Sequence, residues 1–269
     1  MHVITTRFVL MRSVSTIFTF VLVKNDIDIL WIPILDIVGS VFAIVLVAVE
    51  IRKLEIKIYG ATFKNSLKKL KESAIYFASD MATTAFGALN IVMIGALLSA
   101  SDVAFWSICM QLVAAVQALY TPIINGVFPE MVKSKDLNQI YKLLKFFMPI
   151  ILVGSLFTLF AANDILYVVG GTQYVSASSL LRTLVPVFMF SFPGMLFGWP
   201  TLGAINKAKQ VTLSTIISAI MQVVGLLLLC FFDCFALIPI AIVRCLTEFA
   251  MMTIRIFFCV SYKKEFKII

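Results

Sequence analysis

Apolar residues in this chain come in long runs separated by short polar breaks. Eight runs stand out: Val3–Val23, Ile29–Val49, Ser73–Leu98, Val103–Phe128, Leu143–Ala162, Leu180–Ile205, Val211–Phe231 and Ala236–Val260. A helix of about 20 residues at 1.5 Å rise crosses about 30 Å of hydrocarbon. The pattern therefore predicts an all-α, polytopic helical membrane protein with about eight transmembrane helices.

The breaks alternate in charge. Lys24 is alone in the first, whereas the second holds Arg52, Lys53, Lys57, Lys64, Lys68, Lys69 and Lys71. Ser99–Asp102 has no Lys or Arg, and the next break has Lys133, Lys135, Lys142 and Lys145. Asn163–Ser179 again has none, then come Lys207 and Lys209, none in Phe232–Phe235, and Lys263, Lys264 and Lys267 in the tail. Cytoplasmic connections are enriched in Lys and Arg. The alternation predicts a multi-pass protein with both termini cytoplasmic. The basic stretch divides the chain into residues 1–49, a cytoplasmic linker at 50–72, and residues 73–269. Within the linker, Phe63, Leu67 and Leu70 fall on one helical face opposite Lys64, Lys68 and Lys71. That spacing suits either a short interfacial helix or a solvated connector.

Composition agrees with the membrane reading: 61% of residues are hydrophobic and 13% charged. The formal charge of +8 lies between apolar runs. It reports topology and contact with anionic membrane lipid, and no nucleic-acid partner is expected. The five cysteines sit mostly inside apolar runs and the single histidine is His2. No disulfide framework, metal site or cofactor follows from them. Phosphate-binding glycine motifs are absent from the sequence. No enzymatic activity is expected.

Polar side chains inside the runs are the candidate chemistry, because ionisable groups in hydrocarbon face a bundle interior or a water-filled cavity. In the third run Ser73, Tyr76, Asp80, Thr83, Thr84, Gly87 and Asn90 share one broad face; in the fourth, Ser107, Gln111, Ala114, Gln117, Thr121 and Asn125 do so. Two such stripes are explained by one shared cavity or by hydrogen bonds between helices. Arg12 and Asp36 come to similar heights if the first two runs form a hairpin, as a structural or a working pair. Arg244 and Glu248 lie one turn apart near the middle of the last run. Arg before Glu is the weaker order for pairing on a helix, which leaves either group another possible partner. Arg182 and Arg255 lie near run ends, from which they can snorkel to the interface. Pro122 and Pro129, and Pro186, Pro193 and Pro200 with Gly194 and Gly198, predict irregular helices. Such breaks persist at membrane depth where protein or a wet cavity satisfies the backbone.

Leu89–Pro129 has an Ile94-Gly95 step, a short polar turn, a Trp106-Ser107 start and a closing Phe128-Pro129. Val169–Leu184 carries Gly171, Tyr174, Ala177, Leu181, Arg182 and Leu184 in a G-x-x-Y-x-x-A-x-x-x-L-R-x-L pattern. Over essentially its whole length the chain resembles the polysaccharide-export, Wzx-type O-antigen flippases of the multidrug/oligosaccharidyl-lipid/polysaccharide superfamily. The resemblance implies helices arranged in two six-helix lobes around a cavity. On it, residues 1–49 are the last two helices of an N-terminal lobe and residues 73–269 a six-helix C-terminal lobe with a cytoplasmic tail, the first four helices being missing. Ile32-Pro33-Ile34 and Ile238-Pro239-Ile240 open the last helix of each lobe as a weak repeat. Asn90 stands where relatives often carry an acidic residue.

The function so implied is translocation of a polyprenyl-pyrophosphate-linked oligosaccharide across the bacterial inner membrane for O-antigen, lipopolysaccharide or capsule assembly. Other membrane proteins of polysaccharide assembly would be partners. Arg12 and Arg244 would attract the pyrophosphate, and Asp80, Asn90, Gln111 and Gln117 would bond sugar hydroxyls; Asp36 and Glu248 complete the substrate-binding set. The rival readings are a drug/cation antiporter, an inactive remnant or partner subunit of such a transporter, and a membrane enzyme of polysaccharide assembly. An enzyme would need a sizeable outer catalytic segment, and Asn163–Ser179 is short and lacks Lys, Arg and His.

Overall fold

The computed structural model describes residues 87–266 continuously and scattered positions before them. Arg12, Asp36, Asp80 and most of the basic linker lie outside the described residues. The chain divides into two compact units, Met1–Ser66 and Leu67–Ile269. The second unit is all-α over its described residues: α1 (Gly87–Leu97), α2 (Ala100–Ser134), α3 (Leu137–Gly170), α4 (Ser178–Leu196), α5 (Ala208–Phe231) and α6 (Leu237–Ser261). Short 3-10 turns lie at Thr172–Ala177 between α3 and α4, at Gly203–Ile205 before α5 and at Lys263–Glu265 after α6. Every helix from α2 to α6 is long and apolar enough to cross a membrane, as the hydropathy pattern predicts.

Two of the sequence boundaries move. The polar break after Phe128 is helical, and only Lys135 and Asp136 separate α2 from α3. The reversal is made by Lys135 at φ 52°, and by Asp136, whose carboxylate accepts from the Asn138 amide at 2.8 Å as the α3 N-cap. Likewise α3 runs on through Asn163 and Asp164 to Gly170. Nothing there breaks a helix until Gly171, whose φ of 85° ends it. At 35 and 34 residues these two helices are about 50 Å long, so they reach well past the hydrocarbon. The prolines of α2 do not interrupt it. Ser99 and Asp102 close a reciprocal capping box at its start.

α4 is the central helix. It packs against α2, α3 and α6, and α5 packs against α6. The reason is its composition: Leu180, Leu181, Leu184, Val187, Phe188 and Phe192 are all buried, and a helix apolar all round belongs inside a bundle. By contrast, α3 turns Phe146, Ile150, Val153, Phe157 and Phe160 outward, 55–83% exposed. Their spacing makes one apolar stripe for lipid tails.

Lipid is as apolar as leucine, so close van der Waals packing and interhelical hydrogen bonds hold such a bundle together. Gly225 shows the first of these. A Cβ there would lie 2.6 Å from Val243 Cγ1 of α6. Gly225→Ala is expected to force α5 and α6 apart and cost about 1–3 kcal/mol, read as a lower melting temperature in detergent. Adding Val243→Ala should recover most of the loss; if it recovers none, the close approach is not what limits the packing.

Candidate functional site

The proline and glycine pattern of the sixth run is realised as a break below α4. Residues Phe197–Leu202 form a π-type turn in which Gly198 has ψ −116°, far from helical. Pro200 has no N–H to return to Leu196, and the Thr201 hydroxyl takes that carbonyl instead at 2.7 Å. Arg255 of α6 fills the space against Gly198. Its Nη1 donates to the Gly194 carbonyl at 2.8 Å, its Nε to Ser214 Oγ at 3.0 Å and its Nη2 to Thr215 Oγ1 at 3.0 Å. The expected snorkelling of Arg255 is thereby corrected. Only 7% of it is exposed, because the broken helix and the α5 hydroxyls give its guanidinium acceptors inside the bundle. Arg182 is exposed and donates to the Leu159 carbonyl and Asn163.

A cavity of about 400 Å³ lies among α2, α4, α5 and α6. Gln117 and Thr121 of α2, Thr215 and Ser218 of α5, and Arg244, Thr247 and Glu248 of α6 supply its polar wall. Ala114, Ala118 and Ala219 with Met195 and Met251 supply the apolar remainder. Two hydrogen-bonded chains reinforce it. In one, Gln117 Nε2 donates to Ser191 Oγ at 2.7 Å, and the Ser191 hydroxyl has Val187 O at 2.6 Å and Glu248 Oε1 at 3.1 Å as acceptors. Glu248 Oε2 holds Arg244 Nη1 at 2.6 Å. In the other, Gln222 Nε2 donates to Asn90 Oδ1 at 2.9 Å while Gln222 Oε1 accepts from Thr247 at 3.0 Å. The two chains meet on α6 at neighbouring residues, Thr247 and Glu248.

The sequence candidates thus separate. Gln117, Arg244 and Glu248 come together at the cavity. The order of Arg244 and Glu248 does not prevent their pairing, since both are buried and Ser191 steadies the carboxylate. Asn90 is buried on Gln222 and does not line the cavity, and Gln111 lies exposed on α2 away from it. Of the α2 stripe only Ala114, Gln117 and Thr121 face the cavity. Thr215, Ser218, Gln222 and Thr247 escaped the sequence reading. Their signal was legible, because Ser214, Ser218 and Gln222 recur every fourth residue in an otherwise apolar run. Among the described residues no group of three His, Cys, Asp or Glu gathers as metal ligands, and all five cysteines are free thiols.

The basic connections share one end of the bundle. Lys207, between α4 and α5, pairs with Glu265 after α6 at 2.8 Å and lies 4.3 Å from the Tyr262 ring centre. The hydrogen bond to Glu265 holds the Lys207 ammonium above the usual lysine range. Gln210 reaches the Tyr262 hydroxyl at 3.1 Å beside it. Lys133 at the end of α2, Lys135 in the α2–α3 connection and Lys142 near the start of α3 lie at the same end.

Residues 1–135 match the sequence profile of a family described as polysaccharide biosynthesis protein. The chain belongs to that family. No curated protein and no solved structure matches it. In this polysaccharide biosynthesis protein the matched stretch ends at the α2–α3 connection. Asn90, Gln111 and Gln117 therefore lie within it, and Arg244, Glu248 and Arg255 beyond it.

Proposed function

We propose that this chain is a flippase-type transporter that carries a lipid-linked oligosaccharide across the bacterial plasma membrane, without covalent chemistry of its own. One observation carries the reading. A polysaccharide biosynthesis protein has an open cavity lined by a buried Arg–Glu pair, hydroxyls and an amide among helices that are otherwise apolar. Charged groups at that depth mark substrate pathways. A cavity for sugar beside a lipid-facing stripe suits a substrate that is half glycan and half polyprenyl chain. The Lys-rich end of the bundle would be cytoplasmic, with the termini on that side. The polyprenyl-pyrophosphate oligosaccharide would enter from the inner leaflet and leave to the outer one, where other proteins of polysaccharide assembly receive it.

The test uses the purified chain in vesicles containing a polyprenyl-pyrophosphate oligosaccharide with a fluorescent sugar. An impermeant quencher reports how fast label moves between leaflets. The expected result is exchange at least about tenfold faster than in protein-free vesicles, a change of about 1.4 kcal/mol in barrier. A rate equal to the protein-free rate refutes the flippase reading. Gradient-driven uptake of a small organic cation by the same vesicles would favour an antiporter instead.

A further inference from the structure

On the flippase reading, something of the substrate must enter the α2–α4–α5–α6 cavity, and the hydrogen-bond directions indicate which part. We infer that the cavity is a subsite for an uncharged sugar ring of the glycan, and that the pyrophosphate is held elsewhere.

The first argument is the polarity of the wall. Three of its hydroxyls are within donating reach of the carbonyl four residues back in their own helix: Thr121 to Gln117 O at 3.4 Å, Thr215 to Val211 O at 3.1 Å and Ser218 to Ser214 O at 2.9 Å. The single proton of Thr247 goes to Gln222 Oε1 at 3.0 Å or Val243 O at 2.8 Å, in either case away from the cavity. A hydroxyl has one proton and two lone pairs. With its proton turned back to the helix, it offers oxygen lone pairs to the cavity, one of those of Thr215 being taken by Arg255 Nη2. Glu248 adds a carboxylate, which is acceptor-only. The Gln117 amide donor is directed at Ser191. Apart from the Arg244 guanidinium, which Glu248 engages, the wall is rich in acceptors, and its natural ligand brings many donors. Sugar hydroxyls do so. A pyrophosphate, itself an array of acceptors, does not.

The second argument is charge. Arg244 is closed on Glu248 at 2.6 Å, and the two formal charges cancel. A phosphate reaching Arg244 would also meet that carboxylate, and like charges so close repel. Among the described residues the other buried cation, Arg255, directs three nitrogens to Gly194, Ser214 and Thr215. Size agrees: about 400 Å³ is at the small-ligand end of pocket volumes, too small for a polyprenyl tail. Ala118 and Ala219 leave flat apolar surface on which the carbon face of a ring can lie.

The test is protection of a cysteine in the cavity. Ala219→Cys and, as an outside control, Phe160→Cys are each placed in a full-length chain whose native cysteines are replaced, and held in nanodiscs. Their reaction with a small hydrophilic methanethiosulfonate is timed. The ligands are an alkyl maltoside kept below its solubilising level, farnesyl pyrophosphate, and sodium ion alone. The expected result is about fivefold slower reaction at Ala219→Cys when maltoside is present at four times its dissociation constant. Phe160→Cys should be unaffected, and neither pyrophosphate nor sodium should protect. Adding Ser218→Ala and Thr121→Val should weaken the maltoside effect while leaving the protein folded by size exclusion. Equal or better protection by farnesyl pyrophosphate overturns the inference. So does protection by sodium alone, an unreactive Ala219→Cys, or no protection by maltoside. None of these results bears on leaflet exchange in vesicles, which tests the flippase reading separately.

Discussion

Arg244→Ala is expected to deplete the protein from the membrane, and Glu248→Ala to do the same. The two side chains form one buried pair at 2.6 Å, with 9% and 4% of their side chains exposed. Removing one partner leaves the other charge uncompensated, a loss of about 3–5 kcal/mol in buried pairs. Removing both takes away the charge problem as well as the bond. The double variant Arg244→Ala with Glu248→Ala should therefore return toward wild-type abundance, and the difference between singles and double measures the coupling. Surface polysaccharide separates structure from function. In a host whose polysaccharide depends on this chain, the double variant should be abundant and still export little, because the cavity has lost its carboxylate acceptor. Recovery of both abundance and polysaccharide would reduce the pair to a structural device.

Arg255→Met is expected to lower the melting temperature of the detergent-purified protein more than any conservative change in α6. Methionine fills much of the space but donates nothing. The Gly194 carbonyl loses a hydrogen bond from a charged donor, worth about 1.5–3 kcal/mol. Ser214 and Thr215 lose the group that ties α5 to α6, though each hydroxyl keeps its carbonyl acceptor, Val211 O. Arg255→Lys keeps the charge and reaches fewer of the three acceptors, so it should fall between methionine and wild type. The effect should be local: protection from hydrogen exchange should drop around Phe197–Leu202, where the helix is already broken. Unchanged melting and exchange for Arg255→Met would show that the break holds itself.

Much of the fold was legible in the chain because membrane helices must satisfy their backbone internally and fill a fixed thickness with apolar residues. The Leu180–Ile205, Val211–Phe231 and Ala236–Val260 runs name α4 with its break, α5 and α6 with modest error. The boundaries of α2 and α3 were not legible. A polar residue such as Asn163 ends a membrane run without ending a helix, and hydropathy reads only the first of these events. Part of the site was legible too. Gln117, Arg244 and Glu248 are conspicuous because polar groups are rare in hydrocarbon.

What the sequence determined by itself was the membrane class, the helical periodicity and the short set of polar residues that hydrocarbon forbids on a lipid face. Tertiary structure alone decided which of them meet. Arg255 reads as a snorkelling end residue until the break in α4 brings the Gly194 carbonyl to it. Gln111 reads like Gln117 along one stripe, but only Gln117 lies where α4 places Ser191 opposite. Asn90 and Gln222 find each other across 132 positions of chain. Periodicity fixes the face of a helix on which a side chain stands; the neighbour on that face is fixed by packing between helices, which no single stretch of sequence contains.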